Sequence, residues 1–162
     1  ERFAHHLMAD ISTKFDKCEV FIWGDPAGGK RDEIFKVTAF DHLRTLGLRA
    51  QPTNSNAFMV RREAGAMPMN RLIDGKPGLL VSKDCNRTRK SLAGGYHFKR
   101  MAVGAGHERF RDVPSKNDHS HVGDAYGYLM LGGGEHRRLT RNPNGKPMFK
   151  QSQANMDFNV FG

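Results

Sequence analysis

Two cysteines, one tryptophan and no long apolar run limit what this 162-residue chain can be. Cys18 and Cys85 form no C-x-x-C pair, which argues against a zinc ribbon and a disulfide scaffold and points to a reducing compartment. No apolar stretch approaches the ~20 residues that span a bilayer. The opening ERFAHHLMADISTKF is mixed and polar, unlike a secretory leader, so no membrane partner is expected. Internal repeats are missing too. Negative charge is in short supply: 17 Asp and Glu face 26 Lys and Arg, giving a net charge of +9 and a pI near 9.9. That balance favours a polyanionic partner, since each neutralised phosphate releases a counterion.

A nucleotide cradle is nearly present but incomplete. In FIWGDPAGGKR, Gly24, Gly29 and Lys30 fit G-x-x-x-x-G-K, yet Arg31 stands where a Ser or Thr hydroxyl would hold Mg²⁺. Pro26 removes one of the backbone N–H groups that would wrap phosphate. No second acidic strand completes an ATPase. The NTPase alternative would be marked by nucleotide binding that depends on Lys30.

What is present is an alternation of strands and helices. CEVFIWG reads as a strand covered on both faces, with Phe21 and Trp23 in the core. DEIFKVTAFDHLRTLG reads as a helix with Phe35, Ala39, Leu43 and Leu46 on one face and Gly47 as its stop. LRAQPT is a second strand. NAFMVRREAGAMPMNRLID is helical, kinked or split at Gly65 and Pro68. DGKPG is a turn and GLLVS another buried strand. A basic helical piece, NRTRKSLAGG, leads into the strand YHFKRMAV, where Tyr96 and Phe98 pack on one side. After a polar loop, SHVGDAYGYLML is a helix capped by Ser120, with Val122, Ala125, Tyr126 and Leu129 as its apolar stripe. This order predicts an α/β domain over residues 1–141, with a mixed, mostly parallel central sheet flanked by helices. Residues 142–162 read as a tail whose ending, MDFNVF, docks on this domain or on a partner.

Three acids sit where chemistry is usually placed. Asp25 follows the first strand, Asp84 follows GLLVS, and Asp124 lies near the start of the last helix, off its apolar stripe. Carboxyl ends of parallel strands face the ligand crevice, and a helix start favours an ionised carboxylate. Taken alone, each is a cap or turn residue. Taken together, they predict one convergent site. Two carboxylates ~4 Å apart repel by roughly 4 kcal/mol at an effective dielectric of 20, so such a cluster requires a cation. Oxygen ligands favour Mg²⁺ or Mn²⁺ over zinc. His121, one turn before Asp124, either assists the site with protons or contacts solvent. Asp32 reads as a helix cap, and Glu63 as a partner of the neighbouring arginines.

GDPAGGKRDE, RREAGAMPMNRLIDGKPGLLVSKDCNRTRKSLAGGYHF and SHVGDAYGYLMLGGGE together resemble the nuclease domain of large terminase subunits of tailed bacteriophages, over about residues 20–135. The resemblance implies a ribonuclease-H-like fold and a metal-dependent endonuclease that cuts concatemeric viral double-stranded DNA during genome packaging. It implies Asp25, Asp84 and Asp124 as catalytic metal ligands for a pair of Mg²⁺ or Mn²⁺ ions. It further implies a portal protein and a small terminase subunit as partners of the full assembly, in the host cell cytoplasm. The family's motor also carries an amino-terminal ATPase domain, for which this chain has no room. With Glu1 in place of an initial Met, that reads as an isolated carboxy-terminal domain, expected to be monomeric.

The basic residues fall in groups: Lys30 and Arg31; Arg61, Arg62 and Arg71; Arg87, Arg89 and Lys90; Lys99 and Arg100. They are expected to meet DNA phosphates, Lys30, Arg31 and Arg87 lying within a few residues of a proposed ligand. Two other readings stand beside this one. One is a different ribonuclease-H-like nuclease, such as a resolvase or integrase. The other is a non-catalytic DNA-binding module whose acids are caps.

Overall fold

The computed structural model describes residues 2–30, 37–102 and 108–135. Arg31, Asp32, Phe35 and the 142–162 tail, for which roles are expected above, lie outside those residues. The elements run α1 (Arg2–Lys14), β1 (Phe21–Gly24), a 3₁₀ turn (Pro26–Gly29), α2 (Ala39–Thr45), β2 (Arg49–Pro52) and α3 (Phe58–Met69). They continue with β3 (Leu72–Ile73), β4 (Lys76–Pro77), α4 (Asn86–Lys90), a π-type turn (Ser91–Gly95), β5 (Phe98–Ala102), β6 (Glu108–Pro114) and α5 (Ser120–Gly132).

The chain is mixed α/β, as expected, but the described strands form three separate two-stranded sheets. β1 pairs with β2 in parallel, Phe21 opposite Arg49 and Gly24 opposite Pro52. Thr53 fastens the carboxyl ends of this pair: its N–H and hydroxyl both donate to the Gly24 carbonyl, at 3.0 and 3.2 Å. α2 connects them and starts as expected of its sequence, with Thr38 and Asp41 forming a reciprocal capping box. The other two pairs are antiparallel.

Several expectations are corrected here. GLLVS is not a strand among the described residues: Leu80 is 74% exposed. Its apolar run marks the wall of an open groove shared with Met69 and Leu92, not a buried ladder. The preceding DGKPG stretch does hold the expected turn, a two-residue hairpin turn with Asp74 and Gly75 at φ 50° and 77°, the pattern an Asp-Gly pair supports. The polar stretch after YHFKRMAV is a strand, β6, paired with β5. α3 runs unbroken through Gly65 to Pro68. Gly65 is needed for packing: a Cβ there would lie 2.9 Å from the Tyr126 ring.

α5 is the central element, but its buried side is not the expected stripe. Ser120, Gly127, Tyr128 and Leu131 are buried, whereas Leu129 is 51% exposed. Glycine allows this rotation by letting neighbours come close. A Cβ on Gly127 would sit 3.2 Å from Arg61 Cβ, and one on Gly132 would enter the Trp23 ring. α5 thus lies against α3 on one side and β1 on the other. Phe21 and Trp23 are half-buried in consequence. The core packed around these elements includes Phe40, Ala50, Ala64, Tyr128 and Leu131.

Candidate functional site

β1 ends in Gly24, and Asp25 caps the following turn. Its Oδ1 accepts the Ala27 N–H at 2.8 Å, and Pro26 supplies the fixed φ that starts the turn. Asp25 therefore serves as the cap of this turn. Burial first, and then the nearby Asp25 carboxylate, push the Tyr128 phenol of α5 above its ordinary range. The charges of both Asp25 and Asp124 act on that phenol. The Tyr128 hydroxyl donates to Asn56 Oδ1.

Arg61 links this corner to Asp124. Its guanidinium carbon lies 4.5 Å from the centre of the Tyr128 ring and 5.8 Å from that of Phe58. Its Nη1 donates to Asp124 Oδ1 at 2.5 Å, with the two side chains 9% and 15% exposed. The Tyr96 hydroxyl donates to the same oxygen at 2.9 Å. The Lys116 ammonium meets the other oxygen at 2.6 Å while remaining 70% exposed. Burial raises the Asp124 carboxyl, but the hydrogen bonds from Lys116, Arg61 and Tyr96 outweigh it and hold the group below its usual range. Burial and the bond to Asp124 push Tyr96 up to about 12. Around Asp124, one carboxylate faces two cations.

The remaining predicted residues are placed as follows. Asp84 is exposed in the loop before α4, its backbone N–H bonded to Ser82 Oγ at 3.3 Å. His121 is exposed in the first turn of α5. Lys30, Arg62, Arg87, Arg89 and Lys90 are exposed, as phosphate contacts require. Arg62 pairs with Glu63 at 2.5 Å, which agrees with the role expected of Glu63. Arg61 departs from the expected DNA contact: it is buried, its charge is held by Asp124, and its Nε has no partner among the described residues. Arg71 forms a two-pronged pair with Glu135, at 2.9 and 3.0 Å. Tyr96 and Phe98 both pack edge-on against Phe58, with centroids 6.0 and 5.5 Å away, so packing is their role.

The residues implied for a metal were tested against this geometry. Among the described residues, no three His, Cys, Asp or Glu side chains are grouped to hold an ion. Asp25 caps the turn after β1, Asp124 is paired with Arg61 and Lys116, and Asp84 is exposed in the loop before α4. Both oxygens of Asp124 are already occupied by hydrogen-bond donors. As placed, the three aspartates do not fit a shared Mg²⁺ or Mn²⁺.

Sequence reasoning missed Lys116, Tyr128 and the coupling of Arg61 to Asp124. Lys116 and Arg61 stand 8 and 63 residues from Asp124. Tyr128, four residues after Asp124, was one helical turn from a residue already singled out and offered the nearest signal. No family model, curated protein or solved structure matches the chain. Among the described residues no helix is long and apolar enough to cross a membrane.

Proposed function

We propose that this chain is a DNA endonuclease domain of the large-terminase type, requiring Mg²⁺ or Mn²⁺ and acting on double-stranded viral DNA during packaging. The observation that carries the reading is that α5, which bears Asp124 between Arg61 and Lys116, packs beside β1, the strand that ends at Asp25. The parallel β1–β2 pair and the packing of α5 beside β1 support a ribonuclease-H-like core. The basic surface supports a DNA partner. The portal protein, the small terminase subunit and the host cytoplasm belong to the same proposal, as does a monomeric isolated domain.

Because the three aspartates do not fit one ion as placed, no step is routed through a metal. The chain's own groups have definite roles. Arg61, Tyr96 and Lys116 keep Asp124 ionised and fix its direction. Tyr128 holds its proton through the physiological range, and its ring lies against the Arg61 guanidinium. A second reading, a non-catalytic DNA-binding module, is favoured by the double neutralisation of Asp124.

Supercoiled plasmid separates the two. The nuclease reading expects nicking or linearisation with Mn²⁺ or Mg²⁺, none in EDTA, and loss of cutting in Asp25→Asn, Asp84→Asn and Asp124→Asn. Full cutting by all three variants, or no cutting by the parent chain with either ion, removes the nuclease reading.

A further inference from the structure

β6 occupies a stretch of polar composition, and its arginines stand outside the basic groups named above. Arg109 and Arg111 are both exposed and, two residues apart, lie on one face of the strand. The pairing tells which face that is. Phe98 lies opposite Pro114, and Arg100 opposite Phe110. Between those pairs β5 has one residue and β6 has three. The excess is even, so the alternation is preserved across the irregularity.

Phe98 and Pro114 turn inward, onto a groove they share with Phe58 of α3. The opposite face of the ribbon therefore points away from the body. It carries Lys99, Arg109 and Arg111, all exposed, with Val113 at 63% exposure between them. Among the described residues no acidic side chain falls on that face. β6 then leads through one residue, Ser115, to Lys116, whose ammonium rests on Asp124 with 70% of the side chain open.

We propose that the outward face of the β5–β6 ribbon is a contact surface for the DNA backbone, delivering the duplex to the corner holding Asp124. Residues two apart on a strand are ~7 Å apart, about two phosphate steps at ~3.4 Å per strand along a duplex. A two-stranded ribbon also matches the ~12 Å width of the major groove. Lys116 continues the row of cations to the candidate site. An acidic peptide or an anionic vesicle is the competing partner of this cationic face, and the test includes one.

The inference rests on DNA being the partner in the function proposed above, so binding and cutting are read separately. Binding of a fluorescent 30-base-pair duplex in EDTA is followed by anisotropy from low to moderate salt. The triple variant Lys99→Ala/Arg109→Ala/Arg111→Ala is compared with Arg2→Ala/Lys14→Ala/Lys17→Ala, which removes equal charge from α1 and its flank. Each lost phosphate contact lowers the log–log salt slope by ~0.9, so the ribbon variant should lose up to ~2.7 and the α1 variant almost none. Circular dichroism confirms that both variants are folded. An unchanged slope in the ribbon variant, or an equal loss in both, overturns the inference. So does binding of phosphatidylserine vesicles or poly-glutamate that matches DNA binding and is lost with it. Cutting by the parent chain with an unchanged ribbon slope removes this inference alone. A ribbon-dependent slope without any cutting keeps it and removes the nuclease reading.

Discussion

The Arg61–Asp124 pair offers the sharpest energetic test, because the two cations on one carboxylate differ in burial. Arg61 is 9% exposed and Lys116 70%, at nearly equal distances of 2.5 and 2.6 Å. Breaking a buried ion pair by removing one partner costs ~3–5 kcal/mol, mostly through the charge left behind. In Arg61→Met, Asp124 keeps Lys116 and Tyr96, which places the loss near the lower end, ~3 kcal/mol. Lys116→Ala removes an exposed partner and should cost ~0–1 kcal/mol. With a urea slope of ~2 kcal/mol/M, Arg61→Met lowers the unfolding midpoint by ~1.5 M, and Lys116→Ala by less than ~0.5 M. Adding Asp124→Asn to Arg61→Met leaves no lone buried charge, so the double variant should recover part of the loss, with a coupling of ~1–3 kcal/mol. The assay is urea unfolding followed by far-ultraviolet circular dichroism. Equal losses for Arg61→Met and Lys116→Ala would refute the idea that burial, and not distance, sets the strength of this centre. A loss below ~0.5 kcal/mol in Arg61→Met would do the same.

Three further outcomes follow from the same groups. The folded Asp124 carboxyl lies below its ordinary value of 3.8, so its contribution is whole above about pH 5 and fades as pH falls below about 4. Asp124→Asn should flatten that acid limb in a series of urea midpoints. All three tyrosines, Tyr96, Tyr126 and Tyr128, are raised, burial being the first cause, the first two to about 12. Their contribution is therefore present below about pH 10 and lost as pH rises from there towards 12. A 295 nm titration should show little phenolate at pH 10.5 until the protein is unfolded. Gly132→Ala would drive a methyl into the Trp23 ring. The expected loss is ~1–3 kcal/mol, with a changed emission from Trp23, and a melting curve and spectrum matching the parent chain would contradict that packing.

The parts of this fold legible in the sequence were those with a local physical signal. FIWG and LRAQPT carried β-forming runs between turn residues, and they do pair. Thr38 and Asp41 carried a capping box, and α2 begins there. α1 has Phe3, Leu7 and Ile11 at helical spacing, but its polar composition masked the period. GLLVS had the apolarity of a strand without a partner to complete it, since strand pairing is a property of two segments and apolarity of one. The rotation of α5 was unreadable for a different reason. Gly127 and Gly132 register as nothing on a hydrophobic stripe, yet their missing side chains decide which face Arg61 and Trp23 can approach. The same limit governed the site. Local placement singled out Asp25 and Asp124, because a strand end and a helix start are visible in the text. It could not see that Arg61, 63 residues earlier, would lie against Asp124, or that Lys116 would close its other oxygen. A residue read as a DNA contact proved to be the internal counter-charge of a residue read as a metal ligand. Any ion that reaches Asp124 must displace a donor first, and the exposed Lys116 is the one least costly to move. On the nuclease reading, then, Lys116→Ala should lower the Mn²⁺ concentration needed for half-maximal cutting, whereas an unchanged or higher requirement would show that Lys116 does not compete for the Asp124 oxygens.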